Sequence, residues 1–377
     1  MPHLARRTFL KSLAAGVAAW GGSVGAVGRR TRAAGPDPAG APTAPVPLVH
    51  CTDLFHPHND PDDHWDLACV YALAHAGWAD LKAVVLDYPP RGGGPDTMAV
   101  GQMNAITGLA ACAVTGAPPG TDATDAAEAP GIRAMLEALR TSPRPVVITV
   151  VGHCRDLVLA ARAAPDLFRE KCRAVYLNAG SGTRDHEKAK RLEYNVGLDP
   201  ASYAAVFDLP CPVYWMPCFE VVPGQGAGWE VMAYGTFWRF RQDAILPHLS
   251  PRMQQFFLYM LSRSTDPKWL RFLEAAPDAD LVARVGRQHR NMWCTAGFLH
   301  LAGRTVTRDG RIVPLAGAGK EAVCTFEPVA VSCDAGGVTT WRPDADARDR
   351  FLFHVLDTGR YTEAMTRAMK TLLTTLP

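Results

Sequence analysis

From Thr52 to Asp66 the chain reads Thr-Asp-Leu-Phe-His-Pro-His-Asn-Asp-Pro-Asp-Asp-His-Trp-Asp. The last fourteen of these residues hold five carboxylates (Asp53, Asp60, Asp62, Asp63, Asp66) and three histidines (His56, His58, His64). Carboxylates this dense repel one another unless a cation or bound protons offset them. A single aspartate is enough to cap a helix, so capping by Asp62 or Asp63 accounts for one of the five and leaves the rest unexplained. The chemistry such a set supports is the holding of a hard divalent cation by oxygen ligands and, through it, the activation of water. The His56-Pro57-His58 spacing admits a second reading, an amidohydrolase-type zinc site with His153 as a third ligand. Loop histidines without a role are the plainer account of His56 and His58.

The elements around this segment alternate in type. Val46–Cys51 is apolar and strand-like, Asp66–Ala76 has a helical apolar face, and Leu81–Leu86 is a second strand. Helices are expected over Met98–Leu109, Gly131–Leu139, Leu157–Ala164 and Pro200–Phe207, and strands over Val146–Val151, Ala174–Leu177 and Val213–Met216. This is the pattern of an α/β fold, a mainly parallel sheet with flanking helices. Beyond Gly228 helical segments dominate: Trp229–Phe240, Arg252–Ser262, Pro267–Ala275, Trp293–Leu301, Ala347–Leu356 and Thr362–Leu373, with a β-like stretch over Val323–Thr340. In open parallel sheets ligands bind beyond the carboxyl ends of the strands, which is where Asp53 falls.

The ordered set of polar residues resembles the nucleoside hydrolases of the inosine–uridine preferring type and their relatives. That family places an Asp after the first strand and an adjacent Asp-Asp pair at the start of a helix. Asp53 and Asp62-Asp63 match, with Asp60 as an alternative first Asp because the loop is longer than usual. Val147–Leu157 is similar to the strand ending in Gly-Pro-Leu-Thr-Asn, whose threonine carbonyl binds metal; Arg155 takes that position. Glu193-Tyr194-Asn195, followed by Asp199-Pro200, matches a block whose Glu and Asn grip ribose hydroxyls. The match runs from about Val46 to Glu220 and fails in the last quarter. There the family brings a His-Asp pair from a late helix; the nearest candidate is His289-Arg290-Asn291, with no carboxylate. The family's early ribose-binding Asn is also missing, with Asp87 near its place.

The resemblance implies a nucleoside hydrolase-like fold and a metal-dependent glycosidase that hydrolyses the N-glycosidic bond of a small riboside. Calcium is the cation it implies, bound by Asp53, Asp63, the Arg155 carbonyl and Asn291. Asp53 would serve as general base, Asp62, Glu193 and Asn195 as sugar ligands, and His289 as proton donor to the leaving base, with Trp293 or Trp229 stacking on that base. The missing late Asp leaves another reading open, an exported sugar- or nucleoside-binding protein with a decayed catalytic set.

The first 34 residues are set apart by charge. Arg6-Arg7-Thr8-Phe9-Leu10-Lys11 matches a twin-arginine export signal, followed by an Ala/Gly/Val-rich stretch from Leu13 to Val27. Setting aside the six basic residues before Gly35 turns the formal charge of +2 into −4. Such a mature chain has no electrostatic reason to bind nucleic acid. A Pro/Ala/Gly-rich linker over 35–45 precedes a single domain over 46–377, expected in the periplasm or outside the cell. No stable membrane span is expected in the mature form, and a homo-oligomer is compatible with the sequence. The ten cysteines read mainly as small buried hydrophobes, with one or two disulfides allowed by the compartment.

Overall fold

The computed structural model describes residues 44–377 other than 58–60, 89–92, 122–124, 126–127 and 225–227. The expected export signal and nearly all of the linker, with His58 and Asp60, lie outside the described residues. Everything described belongs to one unit, Gly35–Pro377.

Nine strands form the main sheet: β1 (Val46–Thr52), β2 (Ala79–Leu86), β3 (Cys112–Thr115), β4 (Val146–Val150), β5 (Cys172–Asn178), β6 (Val213–Met216), β7 (Cys324–Cys333), β8 (Thr339–Pro343) and β9 (Arg350–Val355). Their spatial order is β8-β7-β9-β6-β5-β4-β1-β2-β3. All neighbours from β9 to β3 run parallel, and β7 is antiparallel to both β9 and β8. The expected α/β class with a mainly parallel sheet is therefore what the chain forms. Its central strands are apolar on both faces because both are covered. Leu48, Val84 and Val147 join one buried cluster, while their neighbours Val49, Val85 and Ile148 join the other.

The topology itself marks a crevice. From β1 the chain moves outward through β2 and β3, then returns to lay β4 on the other side of β1. At such a reversal the loops after the two central strands diverge and leave a cleft at their carboxyl ends. Helix α1 (Asp62–His75) points its first turn into that region. It begins four residues earlier than the apolar periodicity predicted, and it is buried continuously from Asp63 to Leu73. Trp65 fixes this helix: its ring stacks on Phe257 at 3.8 Å and meets Phe240 edge-on. The acidic end of α1 is thus held by packing rather than left on a mobile loop.

Two C-terminal expectations fail. Trp229–Phe240 is not a helix; its last residues enter a short strand, Trp238–Arg241, paired antiparallel with His289–Met292. Ala347–Leu356 contains β9, whose Arg-Phe-Leu-Phe-His-Val sequence pairs with β6 on one side and β7 on the other. In both, alternating aromatic residues (Trp238 and Phe240, Phe351 and Phe353) fit a pleated surface better than a helix. Helices α7 (Thr295–Leu301) and α8 (Thr358–Leu373) fall where periodicity places them. All ten cysteines are free thiols, eight of them buried. Among the described residues no helix is long and apolar enough to cross a membrane.

Two histidines, His50 buried and His300 half-buried, make the fold acid-sensitive. His50 on β1 pairs through Nδ1 with the Thr149 hydroxyl at 2.8 Å, and burial lowers its pKa from 6.5 to about 3. His300 meets the Tyr176 hydroxyl at 2.7 Å and is likewise lowered to about 3, by burial and then by the charge of Arg173. Both must stay neutral in the fold yet can charge in the unfolded chain. Their contribution is present above pH 6.5 and is lost as pH falls toward 3. At pH 5 each costs about 2 kcal/mol, at 1.36 kcal/mol per pKa unit. Urea midpoints measured from pH 7 to pH 4 should fall steeply, and His300→Gln should flatten that fall. A wild-type midpoint independent of pH would contradict the assignment.

Candidate functional site

A cavity of about 350 Å³ opens at the reversal point, lined from five directions by chemistry-bearing residues. Asp53 follows β1; Asp62, Asp63 and Asp66 come from the first turns of α1; Val151 follows β4; Asn178 ends β5; and Glu193 and Asn195 lie at the start of the short helix Tyr194–Leu198. Phe219, Trp229 and Trp293 close the remaining side, with Cys218 and Cys294 between. This volume lies in the range of small-molecule sites. Of the residues expected to act, Asp53, Asp62, Asp63, Glu193 and Asn195 come together here.

The carboxylates are buried and crowded. Asp63 is 5% and Asp53 6% exposed. The Asp63 carboxyl is pushed well above the usual carboxylate range, first by burial, then by the adjacent Asp53, with which it also shares a hydrogen bond. The Thr52 hydroxyl donates to Asp63 Oδ1 and partly opposes that shift. Asp66 is raised to about 7 by burial. Two carboxylates in hydrogen-bond contact cannot both remain charged in a dry site without a proton or a cation between them. An all-oxygen pair of this kind suits a hard divalent ion.

Opposite, the Glu193–Asn195 block is held rigidly. Glu193 caps its helix: Oε1 accepts from the Asn195 amide at 3.0 Å and Oε2 from the Gly180 amide at 2.9 Å. Asn195 Nδ2 donates to the Val151 carbonyl at 3.0 Å, tying the end of β4 to this helix. Asn178, which the sequence reading missed, donates to the Met216 carbonyl and the Thr236 hydroxyl and accepts from the thiols of Cys218 and Cys294. Its signal was available as a polar residue ending a buried strand. Gly152 matters by what it lacks. A Cβ there would lie 2.2 Å from Asp87 Oδ2 and 3.1 Å from the Asp53 Cβ, so only glycine lets the backbone pass between the two aspartates.

Several expected residues are elsewhere. His289 and Asn291 do not line the cavity; they sit on the strand paired with Trp238–Arg241, where His289 is exposed and Asn291 Oδ1 accepts from Arg239 at 2.8 Å. Arg155 begins helix α4 (Arg155–Ala163) and its guanidinium bonds to the Ala117 carbonyl. The residue after β4 that lines the cavity is Val151, whose carbonyl accepts from Asn195 Nδ2. The late helix brings Trp293 and Cys294 instead, since Cys294 immediately precedes α7 and its thiol contacts Asp66 and Asn178. His64, one of the three loop histidines, pairs with Asp96, which caps helix α2 (Thr97–Thr107). His153 lies with Asp87 and Asp156, in a group that does not include His56.

The aromatic wall is one contiguous cluster. Trp229 and Trp293 have ring centroids 6.0 Å apart, and Phe219 packs edge-on against both at 5.3 and 5.9 Å. Trp229 remains 40% exposed. The tryptophans are part of the cavity wall rather than of the sheet core.

No family model and no curated protein matches the chain. Solved structures do. The effector protein XOO4466 aligns at 16% identity and TM-score 0.52, over 88% of this chain and 95% of its own. The inosine-uridine preferring nucleoside hydrolase from Bacillus anthracis aligns at 12% identity and TM-score 0.47, over 86% and 99%. The purine-preferring ribonucleoside hydrolase from Gardnerella vaginalis aligns at 14% identity and TM-score 0.45, over 87% and 99%. At 16% identity the likeness to XOO4466 is one of fold, and what the chain does rests on its own side chains.

Proposed function

We propose that this protein is a metal-dependent hydrolase of the N-glycosidic bond in nucleosides or related ribosides, exported by the twin-arginine route. The observation that supports this most is the pairing, across one cavity, of the Asp53/Asp62/Asp63 cluster with the Glu193–Asn195 block and an aromatic wall. A sugar presents hydroxyls that carboxylates and amides accept and donate to; a base presents a flat π-face that tryptophan stacks on. Both chemistries stand within one volume.

Asp53 and Asp63 would hold the cation, and calcium suits their hard oxygens. A divalent cation bound there supplies charge stabilisation and makes water more acidic. The chain's own residues do the rest. Asp53 takes the proton from the attacking water. Asp62 accepts from a ribose hydroxyl, while Glu193 and Asn195 orient the sugar from the other side. As the N-glycosidic bond breaks, positive charge grows on the sugar ring, and buried carboxylates stabilise it without reorganising. Trp229 and Trp293 hold the leaving base.

One observation favours a second reading. Neither Trp293 nor Cys294 is a carboxylate or an efficient proton donor, and burial pushes the Cys294 thiol well up. A protein that binds ribosides without cleaving them would have this wall too. Trp229→Ala separates stacking from fold, because the ring is partly exposed. It should weaken riboside affinity about tenfold, given about 1–3 kcal/mol per stacked base, with little change in melting temperature. Unchanged affinity by calorimetry would remove Trp229 from the site.

A further inference from the structure

A second polar cluster adjoins Gly152, beside Asp53. Asp87 follows β2, His153 follows β4 and Asp156 stands in the first turn of α4. One ligating atom from each lies within 4.8 Å of the others. Among the described residues this is the one group of three such side chains gathered so closely. Asp87 and Asp156 are each 1% exposed.

Each carboxylate is anchored by one oxygen and leaves the other without a hydrogen bond, Asp87 Oδ1 lying 3.7 Å from His153 Nε2. Asp87 Oδ2 accepts from the His153 amide at 2.8 Å, and Asp156 Oδ1 accepts from the Ala117 amide at 2.9 Å. Asp87 Oδ1, Asp156 Oδ2 and both ring nitrogens of His153 have no hydrogen-bond partner. Unmade bonds on buried carboxylates are costly, and four polar atoms without a hydrogen bond in one place ask for a ligand. Two glycines form the walls. A Cβ on Gly116 would fall 1.7 Å from Asp156 Oδ2, and one on Gly152 would fall 2.2 Å from Asp87 Oδ2. Arg155 offsets part of the charge from a distance, but its guanidinium bonds to the Ala117 carbonyl rather than to either carboxylate.

We infer that Asp87, His153 and Asp156 form a binding site for a borderline divalent cation of the zinc type, separate from the Asp53/Asp63 pair. Two monodentate carboxylates and a neutral imidazole are the ligand types zinc takes, and three protein ligands leave a coordination position open. Calcium needs six to eight oxygens, which this cluster does not provide. The inference does not depend on the riboside reading of the neighbouring cavity.

Zinc binding to the chelator-stripped full chain, measured by equilibrium dialysis with elemental analysis, tests it. One zinc per chain should bind, persist in Asp63→Asn, and weaken at least a hundredfold in Asp156→Asn and in His153→Gln. Asp156→Asn keeps the oxygen that accepts from Ala117 and removes a repelling charge, so its metal-free form should melt no lower than the metal-free wild type. Absence of zinc from the wild type, equal affinity in all variants, or loss only in Asp63→Asn would overturn the site. Should both cluster variants fail to fold, cobalt added to stripped Asp63→Asn decides. A paramagnetically shifted imidazole signal supports the site, and its absence overturns it.

Discussion

Asp63→Asn is expected to abolish riboside hydrolysis and cation binding at the cavity while leaving a folded protein. The substitution keeps the shape and the oxygen that accepts from the Thr52 hydroxyl, and it removes only charge. That charge is disfavoured where it stands: burial and the neighbouring Asp53 both press the Asp63 carboxyl toward its neutral form. Without a cation, the variant should therefore melt at or above the wild-type temperature. With a cation, the order reverses, because only the wild type gains stability from binding. Activity should fall by at least about 10³-fold in kcat/KM, which is about 4 kcal/mol of transition-state stabilisation at 1.36 kcal/mol per decade. Melting curves with and without added calcium, alongside product assays, check all three statements. A variant that retains the cation would show that the ligand is another residue.

Glu193→Gln should also be damaging, though less so, for a different reason. Both carboxylate oxygens accept backbone N–H groups, from Gly180 and from Asn195. A glutamine amide must turn its NH2 toward one of these donors, leaving a buried N–H unpaired at a cost of about 1–3 kcal/mol. The disturbed segments are the loop after β5 and the helix that carries Asn195, which line the sugar side of the cavity. Riboside affinity should drop about tenfold to a hundredfold, with kcat less affected than KM and a lower melting temperature. A glutamine variant with wild-type KM would remove Glu193 from the site and leave it only a cap.

How much of this was legible in the residues depends on how local the signal is. β6 over Val213–Met216 was placed to the residue, since a short apolar run between turn residues is specified by its neighbours. Asp53 and Asp62-Asp63 were readable because five carboxylates in fourteen residues exceed what helix capping uses, and Glu193–Asn195 because the block resembles a known one. The late wall was not. Its expected ligands, His289 and Asn291, belong to a strand whose pairing with Trp238–Arg241 spans about fifty residues and leaves no local mark. Cys294 faces the acidic cluster, yet a thiol among ten scattered cysteines reads as a small core residue. Asp87, His153 and Asp156 come from two strand ends and a helix; only the parallel register of β1 with β2 and β4 brings them together. Asp87 and His153 were each visible from the sequence, but not as partners.

The measurement that bears most directly on the proposed function is product analysis after the purified chain meets a panel of purine and pyrimidine ribosides. It is run with calcium and again after chelation, with chromatographic detection of free base and ribose. Release of both products in equal amounts, lost on chelation and restored by calcium, is the predicted result. Tight riboside binding with no free base under any cation would contradict hydrolysis and leave a riboside-binding protein.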